Sequence, residues 1–172
     1  MDIIRRNTDY AARLMVHLAK HYGNSPISTR AAAAREQVPY QLACKLMQKL
    51  NNARLVESCM GPKGGFALGN EPSKISLLEI VEAIQGPVSM NRCVLNKNTC
   101  SRAKFCTVRE KLIDIQKSIT GKLASITLDE LIREHRDNKN TGKRKRRNRL
   151  QEKAKKLKSC SSAQAKRSKC KN

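Results

Sequence analysis

The sequence has 172 residues and a formal net charge of +22, with 36 Lys and Arg residues against 14 Asp and Glu residues. This length suffices for one compact domain with a core, a long helix and a tail, and it excludes two large domains. A surface this basic attracts polyanions, of which nucleic acid is the first expectation and an anionic membrane surface the second.

The apolar residues form no run near the roughly 18 residues that a membrane-spanning helix needs. Residues 1–6 lack the apolar stretch of a secretion signal. We therefore expect a cytoplasmic protein without a membrane partner. Seven cysteines, an odd number in such a chain, favour metal ligation or redox chemistry over a disulfide framework.

Helical spacing begins near the N-terminus, and the first predicted helix ends at residues 21–23. Its apolar positions recur at intervals of three and four and predict one buried face: Ala11, Leu14, Met15, Leu18 and Ala19. Either Ser28 or Thr29 can cap a second, alanine-rich helix over about residues 30–35. A tight turn is expected at residues 36–38.

A third helix is predicted after this turn, with Pro39 in its first turn, where the missing N–H is not needed. Leu42, Leu46 and Leu50 recur at intervals of four and predict its buried stripe. The outward side chains are polar, cationic or small, as a helix needs to enter a DNA major groove. These positions are Tyr40, Gln41, Ala43, Cys44, Lys45, Gln48 and Lys49. An ordinary solvated face would look similar, so this helix alone leaves both interpretations open.

Two short extended runs, residues 55–58 and 66–68, flank a glycine-rich turn at 61–65 and predict a β-hairpin. Helix, turn, helix and hairpin in this order predict a winged helix-turn-helix, a mostly α fold with a small β-hairpin wing. Lys63 at the hairpin tip would lie near the DNA backbone or minor groove, with an ordinary exposed lysine as the alternative. The expected DNA-binding set also includes residues around the starts of the second and third helices: Ser28, Thr29 and Pro39.

A capping box is predicted from the spacing of Ser76 and Glu79, in a helix that ends at residues 86–87. A later apolar stripe repeats at threes and fours over five turns, at Val108, Leu112, Ile115, Ile119 and Leu123. This stripe is too long for a small monomer to cover and predicts a long dimerisation helix that pairs with its copy in a homodimer. A second capping box at 127–130 predicts a last short helix ending near His135. A two-fold dimer would present two wings and two third helices to a pseudo-palindromic operator in double-stranded DNA.

Three cysteines fall within one predicted loop with the spacing Cys-x6-Cys-x5-Cys, at Cys93, Cys100 and Cys106. Three soft thiolates this close suit an iron–sulfur cluster or zinc, and the flanking Arg and Lys residues favour thiolates and offset the charge of a cluster. Zinc prefers closely paired Cys-x2–4-Cys ligands, which this loop lacks, although the spacing does not exclude it. Three unrelated free thiols are the remaining alternative.

Four motifs, in this order, resemble the iron–sulfur winged-helix repressor family, which includes the iron–sulfur assembly regulator, the nitric-oxide-sensitive repressor and the rhizobial iron regulator. They are Thr-Asp-Tyr-Ala at 8–11, Gly-Pro-Lys-Gly-Gly-Phe at 61–66, the three-cysteine loop, and Ile-Thr-Leu-Asp-Glu-Leu at 126–131. The resemblance extends over about residues 1–135.

The resemblance implies a dimer in which Cys93, Cys100 and Cys106 hold a 2Fe-2S or 4Fe-4S cluster near the first helix of the partner. In nitric-oxide-sensing members an aspartate of the first helix supplies the fourth ligand, and Asp9 stands at the matching place. In the assembly regulator a histidine three residues past the last cysteine does so, whereas this chain has Arg109, which cannot ligate because it stays protonated. We therefore expect Asp9 as the fourth ligand and a relation to the nitric-oxide or iron sensors. The alternative for Asp9 is a helix-start residue favoured by the macrodipole.

Two features depart from the family. Met60 stands in the wing where members often carry an arginine that inserts into the minor groove, so DNA specificity is expected to differ. The basic tail at 137–172 carries 15 Lys and Arg residues against two acidic residues and has almost nothing apolar to bury. We expect a disordered or weakly helical arm that binds DNA without sequence preference, through counterion release.

The expected organisation is a DNA-binding domain at 1–88, a cluster-binding loop at 89–107, a dimerisation helix with a short helix at 108–136, and the tail. The expected function is cluster-dependent regulation of transcription, by a repressor that senses nitric oxide, redox state or iron supply. The alternative is a winged-helix nucleic-acid-binding protein with a structural zinc or no metal. An enzyme is not expected, because no phosphate-binding glycine loop, Ser/His/Asp arrangement or carboxylate pair for acid–base catalysis is present.

Overall fold

The computed structural model describes residues 3–61, 64–96 and 100–134. The chain divides after Ile132 into two units, and the fold below is that of the first unit. Its elements in chain order are α1 (Arg6–Ala19), α2 (Thr29–Glu36), α3 (Tyr40–Asn52), β1 (Val56–Cys59), β2 (Gly65–Leu68), a 3-10 turn (Pro72–Lys74), α4 (Leu77–Gln85), α5 (Arg92–Leu95) and α6 (Thr107–Ser125). Residues 128–134 are again helical. The prediction of a mostly helical fold with a small β-hairpin is confirmed.

The first three helices each bury one side, because small and apolar residues recur on it at the helical period. In α1 the five predicted stripe residues are all buried, and in α3 the buried set includes Leu46, Met47 and Leu50. Ala43 belongs to that set with 0 % of its surface exposed, so the prediction that it faces outward is wrong. Its position three residues before Leu46 and four before Met47 puts it on the same face of the helix.

The helix-turn-helix is fixed by local hydrogen bonds at the ends of α2. Ser28 is the N-cap, because its Oγ accepts a hydrogen bond from the Ala31 N–H at 3.2 Å. Gln37 ends α2 in the left-handed conformation, with a φ of 55°. Pro39 is the N-cap of α3 and not a residue of its first turn. The turn between the helices therefore spans residues 37–39, one residue later than the predicted 36–38, because α2 includes Glu36.

The wing is an antiparallel hairpin in which Val56 pairs with Leu68 and Cys59 with Gly65. A third segment joins it at Ile27, whose backbone exchanges two hydrogen bonds with that of Phe66, at 3.0 and 2.9 Å. A Cβ atom on Gly65 would collide with the Ile27 carbonyl, so the close approach requires glycine. The backbone just before α2 thereby attaches the wing to the helix-turn-helix.

The predicted capping box of α4 forms in both directions. The Ser76 Oγ accepts a hydrogen bond from the Glu79 N–H, and the Glu79 carboxylate accepts one from the Ser76 N–H at 2.7 Å. The helix ends at Gly86, which has a φ of 84°. Both ends of α4 therefore lie where the sequence predicts them.

The chain after α6 returns to the start of α4. The Leu128 N–H donates to the Ile75 carbonyl at 3.0 Å, and the Leu77 N–H donates to the Ile126 carbonyl at 2.8 Å. Leu128 and Ile132 are buried in the same hydrophobic cluster as the inner faces of α1 and α3. These two residues complete the core of the winged helix, although the expected boundaries place them outside that domain, in the region 108–136. The domain boundaries at residues 88, 107 and 136 stay a prediction.

Helix α6 buries only the end of its apolar stripe. Leu123 packs with Val81 and Val88 in a second small cluster. Val108 and Ile115 are 65 % and 46 % exposed, which leaves an apolar face of the kind that a pairing helix covers.

Within the described ranges, no helix combines the length and the apolar character that crossing a membrane demands.

Candidate DNA-binding surface and cysteine loop

The outward face of α3 carries the predicted DNA-contacting side chains. Of these residues, Cys44 is half-buried and five are exposed: Tyr40, Gln41, Lys45, Gln48 and Lys49. Lys49 has a partner within the chain, because its Nζ donates a hydrogen bond to the Ile84 carbonyl at 3.1 Å. The amides of Gln41 and Gln48 and the hydroxyl of Tyr40 can donate and accept hydrogen bonds, and Lys45 supplies a positive charge. Such groups contact base edges and phosphates in DNA complexes.

The start of α2 lies beside the start of α3. The guanidinium carbon of Arg30 is 5.0 Å from the centroid of the Tyr40 ring. Ser28 uses its hydroxyl as the helix cap, Thr29 is half-buried, and Pro39 is exposed. Sequence reasoning named these neighbours but missed Arg30, because the ten-residue separation from Tyr40 becomes a contact only when the turn between the helices closes.

The tip of the wing is described on both sides of a short gap. Lys63 lies outside the described residues, so its predicted DNA contact stays a prediction. Before the gap, Gly61 has a φ of 120°, and after it the Gly64 N–H donates to the Gly61 carbonyl at 2.8 Å. Met60 directly follows β1 and is fully exposed.

The cysteine loop is organised by the helices at its two ends. Cys93 is the second residue of α5 and is half-buried, Cys100 is exposed, and Cys106 is the half-buried N-cap of α6. The Cys106 Sγ accepts a hydrogen bond from the Arg109 N–H at 3.4 Å. The Arg109 Nε donates to the Cys93 carbonyl at 2.8 Å. Residues 97–99 lie outside the described part of the chain.

The chemistry of the three thiols fits an iron–sulfur cluster, because soft sulfur donors are what such clusters take from protein. Their arrangement here is not that of a formed site. Across the described ranges, no three His, Cys, Asp or Glu side chains come together closely enough to hold a metal ion. Cys93 lies in α5 and Cys106 directly precedes α6, so the helices at the two ends of the loop position the first and last of the three cysteines.

Asp9 lies on the exposed side of α1, with 62 % of its side chain exposed. Its carboxylate is 3.9 Å from the Arg13 guanidinium, one helical turn later. The described side chains do not place it with two further metal-binding groups. Asp9 is therefore accessible to a second chain, and its role as a ligand stays a prediction.

A polar cluster joins α1 to the end of α2. The His17 Nδ1 lies 3.3 Å from a Glu36 carboxylate oxygen, and the Arg13 guanidinium donates to the Glu36 backbone carbonyl. Burial lowers the pKa of His17 below its ordinary value of 6.5, and it outweighs the attraction to Glu36, which acts in the opposite direction. The neutral imidazole is thus the favoured form in the folded protein.

The N-terminal segment is attached to the end of α4 by Gln85. The Gln85 Oε1 accepts hydrogen bonds from the buried Thr8 hydroxyl at 2.8 Å and from the Arg5 N–H at 3.0 Å. The Gln85 Nε2 donates to the Ile3 carbonyl at 2.8 Å. The last turn of α4 therefore contacts α1 through Gln85 and α3 through the Ile84 carbonyl, directly before the cysteine loop.

Comparison with known proteins matches residues 4–134 to Rrf2, described as an iron-dependent transcriptional regulator. The HTH-type transcriptional regulator CymR of Bacillus subtilis strain 168 is 30 % identical over 119 residues, which cover 69 % of this chain and 86 % of CymR. The HTH-type transcriptional regulator IscR of Photorhabdus laumondii is 30 % identical over 123 residues, which cover 72 % of this chain and 74 % of IscR.

Solved structures agree with these matches. The structure of CymR, the global cysteine regulator of B. subtilis, superposes with a TM-score of 0.64 at 32 % identity and covers 77 % of this chain and 97 % of CymR. These relatives are transcriptional regulators, which confirms the predictions of a winged-helix regulator and of a chain that is not an enzyme. Because the family match extends over residues 4–134, the chain belongs to the Rrf2 family of transcriptional regulators.

Proposed function

We propose that the chain is a cytoplasmic, homodimeric repressor whose affinity for double-stranded promoter DNA depends on an iron–sulfur cluster. The observation that carries this proposal is the three-cysteine loop, Cys93, Cys100 and Cys106, in a chain whose family is described as iron-dependent. Thiols stay reduced in the cytoplasm and are available as ligands there. The cluster, when bound, would supply a group that reacts with nitric oxide or oxygen.

The proposed ligands are the three loop cysteines, with Asp9 as the fourth. Arg109, three residues after Cys106, is committed to the hydrogen bond with the Cys93 carbonyl and has no lone pair to donate. Asp9 is exposed, and its ion pair with Arg13 is long, at 3.9 Å. A long, exposed ion pair costs little to break, so the Asp9 carboxylate can change partners.

A route from the cysteine loop to the DNA-binding face runs through the last turn of α4. The Gln85 side chain accepts a hydrogen bond from the Thr8 hydroxyl and donates one to the Ile3 carbonyl. The Ile84 carbonyl accepts a hydrogen bond from the Lys49 ammonium of α3. A change in the loop that moves this turn would alter both contacts. We propose that cluster occupancy changes the angle between the two α3 helices of the dimer, and that its ligation free energy is thereby coupled to operator affinity.

The homodimer is proposed to form through α6. Val108 and Ile115 are seven residues apart and therefore lie on the same face of α6. Both are exposed, as expected for a helix that packs against its copy. Replacing Ile115 by glutamate should shift the protein from dimer to monomer in sedimentation velocity. The matched control is Asp114→Glu, at the preceding, exposed position. A dimer that persists in the Ile115→Glu variant would contradict this assignment of the interface.

The basic segment 137–172 is proposed to act as a DNA arm. It lies outside the described residues, and the support is its 15 Lys and Arg residues against two acidic residues. Such a segment adds affinity through counterion release, with little preference for sequence. Deletion of the segment should weaken binding to operator and shuffled DNA by similar factors.

The decisive experiment compares operator affinity of anaerobically prepared holo protein, apo protein and protein treated with nitric oxide. We expect the holo protein to differ from both other forms. A variant with Ser at positions 93, 100 and 106 should have apo-like affinity and no response. The matched control Cys59→Ser removes an exposed cysteine outside the loop and should respond as wild type. Equal affinity in all forms, or an unchanged response in the loop variant, would refute the proposal.

A second candidate is a winged-helix regulator without an iron–sulfur cluster. It is favoured by the likeness to CymR, described as a global cysteine regulator, and by the separation of the three thiols in the described residues. Iron and sulfide counts and visible absorbance of the anaerobic protein separate the candidates. A colourless protein without iron would favour this second function, and zinc in stoichiometric amount would identify a structural metal.

A further inference from the structure

We propose that Arg30 and Tyr40 form a preassembled phosphate clamp, in which the Tyr40 ring holds the Arg30 guanidinium where it contacts the DNA backbone. The pair lies across the starts of α2 and α3. This proposal rests on the proposed DNA-binding function, because it assigns one further contact and one positioning residue to the same surface.

The geometry of the pair is that of a cation–π contact. The guanidinium carbon of Arg30 is 5.0 Å from the centroid of the Tyr40 ring, within the range over which such contacts are attractive. Tyr40 is 47 % exposed, and Arg30 is also exposed. The ring thus shields one side of the guanidinium and leaves it accessible to a ligand.

The charge around the pair favours an anionic ligand. Glu36 is the single acidic residue of α2 and α3, and it lies at the far end of α2. Its carboxylate is engaged with His17 at 3.3 Å and approaches Arg13 at 4.0 Å. Arg30 takes part in none of the ion pairs found between described residues. Its positive charge is therefore not neutralised by a carboxylate of its own helix pair.

Stacking suits arginine to phosphate because a planar guanidinium can face a ring and still direct its N–H groups outward at its edge. A phosphate can accept two of these hydrogen bonds at once. The pair also lies at the N-terminal ends of both helices, where the helix dipole favours an anion. Tyr40 acts here through Arg30 and is a positioning residue.

Two other arginines show why this pair differs. Arg6 and Arg13 lie 5.5 and 5.7 Å from the Tyr10 ring. Arg13 also contacts Asp9 and Glu36, so its charge is balanced within the chain. Arg30 combines a ring contact with a position on the DNA-binding face, which makes it the stacked arginine suited to a phosphate there.

The test measures binding of full-length protein to two labelled duplexes by fluorescence anisotropy over a series of salt concentrations. One duplex carries an operator selected by the wild-type protein from a random pool, and the other a shuffled sequence. Arg30→Ala should weaken binding to both duplexes and reduce the slope of log affinity against log salt by about one for each protomer. Arg35→Ala, which removes an exposed cation from the last turn of α2, is the matched control and should keep the slope.

A second pair of variants tests whether the aromatic ring of Tyr40, and not its hydroxyl, positions Arg30. Tyr40→Phe keeps the ring and should keep the wild-type salt slope, whereas Tyr40→Leu should lower that slope in part. The double variant Arg30→Ala with Tyr40→Leu should bind as weakly as Arg30→Ala alone, because the ring acts through the arginine. Urea midpoints identify any variant whose loss reflects unfolding.

The outcomes separate this proposal from the function on which it rests. If the wild type selects no duplex from the random pool, the DNA-binding function itself fails. If the wild type binds and Arg30→Ala keeps the full salt slope, Arg30 contacts no phosphate and the clamp is refuted. Strictly additive losses from Arg30→Ala and Tyr40→Leu would refute the positioning role of the ring.

Discussion

Arg109 connects the two ends of the cysteine loop to each other: its Nε donates to the Cys93 carbonyl at 2.8 Å, and its N–H donates to the Cys106 Sγ at 3.4 Å. The first and last cysteines of the motif are thereby held by one residue of α6. Since the proposed cluster needs both thiols, the hydrogen bonds of Arg109 help to fix the backbone at Cys93 and the side chain of Cys106. A side chain that cannot ligate thus contributes to the position of residues that can.

Replacing Arg109 by alanine should therefore make the proposed cluster easier to lose. Residues that orient metal ligands typically change metal affinity by about 10- to 100-fold when removed. The measurement is the rate at which a chelator bleaches the visible absorbance of reconstituted protein. Arg102→Ala removes an exposed cation of the same loop and serves as the control. Equal bleaching rates in the two variants would mean that charge, and not the contact with Cys93, is what matters.

Gly65 in β2 is expected to be far less tolerant of a side chain than Gly121 in α6. Alanine at position 65 would collide with the Ile27 backbone, whereas a Cβ at 121 meets nothing within 4 Å. Gly65→Ala should destabilise the fold by about 2 kcal/mol or more. The new Cβ would push the Ile27 backbone away, and the Ile27 and Phe66 backbone groups would lose their hydrogen bonds. Gly121→Ala should stabilise it by about 0.5–1 kcal/mol, the usual gain inside a helix. Urea unfolding of both variants checks the contrast, which equal midpoints would contradict.

The elements that the sequence predicts well are set by neighbours in the chain. The capping box of Ser76 and Glu79 and the apolar stripe of α1 are local, and both are present as expected. Ala43 was misplaced because alanine is small enough for either face of a helix, and only the packing of α3 against its neighbours decides. The spacing of polar and apolar residues along the sequence therefore does not decide which face of α3 Ala43 occupies.

The contacts that sequence reasoning missed join residues far apart in the chain. Gln85 bonds to Thr8 across 77 positions, and Ile27 pairs with Phe66. Neither pair has a motif, because the partners are ordinary residues that fold topology brings together. The cysteine spacing could be recognised, but a spacing alone does not give the distances between thiols. The sequence thus predicts which residues belong to the candidate site, but it does not predict the distances between their side chains.

The stability of the protein should fall as the pH drops below about 6.5, because of His17. Its pKa is lowered by burial, with the Glu36 attraction opposing this, so the unfolded chain binds a proton at a higher pH than the folded one. The contribution of His17 to the free energy of unfolding is therefore fully present above pH 6.5. This contribution is lost as the pH falls toward the lowered pKa of the folded state. Below that pKa the loss levels off.

His17→Gln should remove this part of the pH dependence. Glutamine keeps a neutral hydrogen-bonding group near Glu36 but cannot take up a proton. Urea midpoints at pH 7.5 and at lower pH, compared with wild type, give the measurement. His21→Gln replaces an exposed imidazole on the same helix and should retain most of the slope. A His17→Gln variant with the wild-type slope would show that other groups control the acid response.

Leu128 offers a test of where the residues after α6 belong. Its side chain is fully buried in the cluster that contains the inner faces of α1 and α3. Leu128→Ala should cost about 2–5 kcal/mol, the usual range for a leucine deleted from a packed core. The control is Leu95→Ala in α5, because Leu95 is 55 % exposed and its truncation should cost only about 0.5 kcal/mol.

The dependence on protein concentration completes this test. A core residue of the winged helix lowers the stability of each protomer, so the cost of Leu128→Ala should remain when the protein is diluted below the point of dimer dissociation. A residue whose burial came from the partner would lose its effect on dilution. Urea unfolding at two concentrations, with sedimentation velocity to identify the species present, separates these cases. Loss of the Leu128→Ala effect in the monomer would mean that residues 128–134 do not belong to the core of the winged helix.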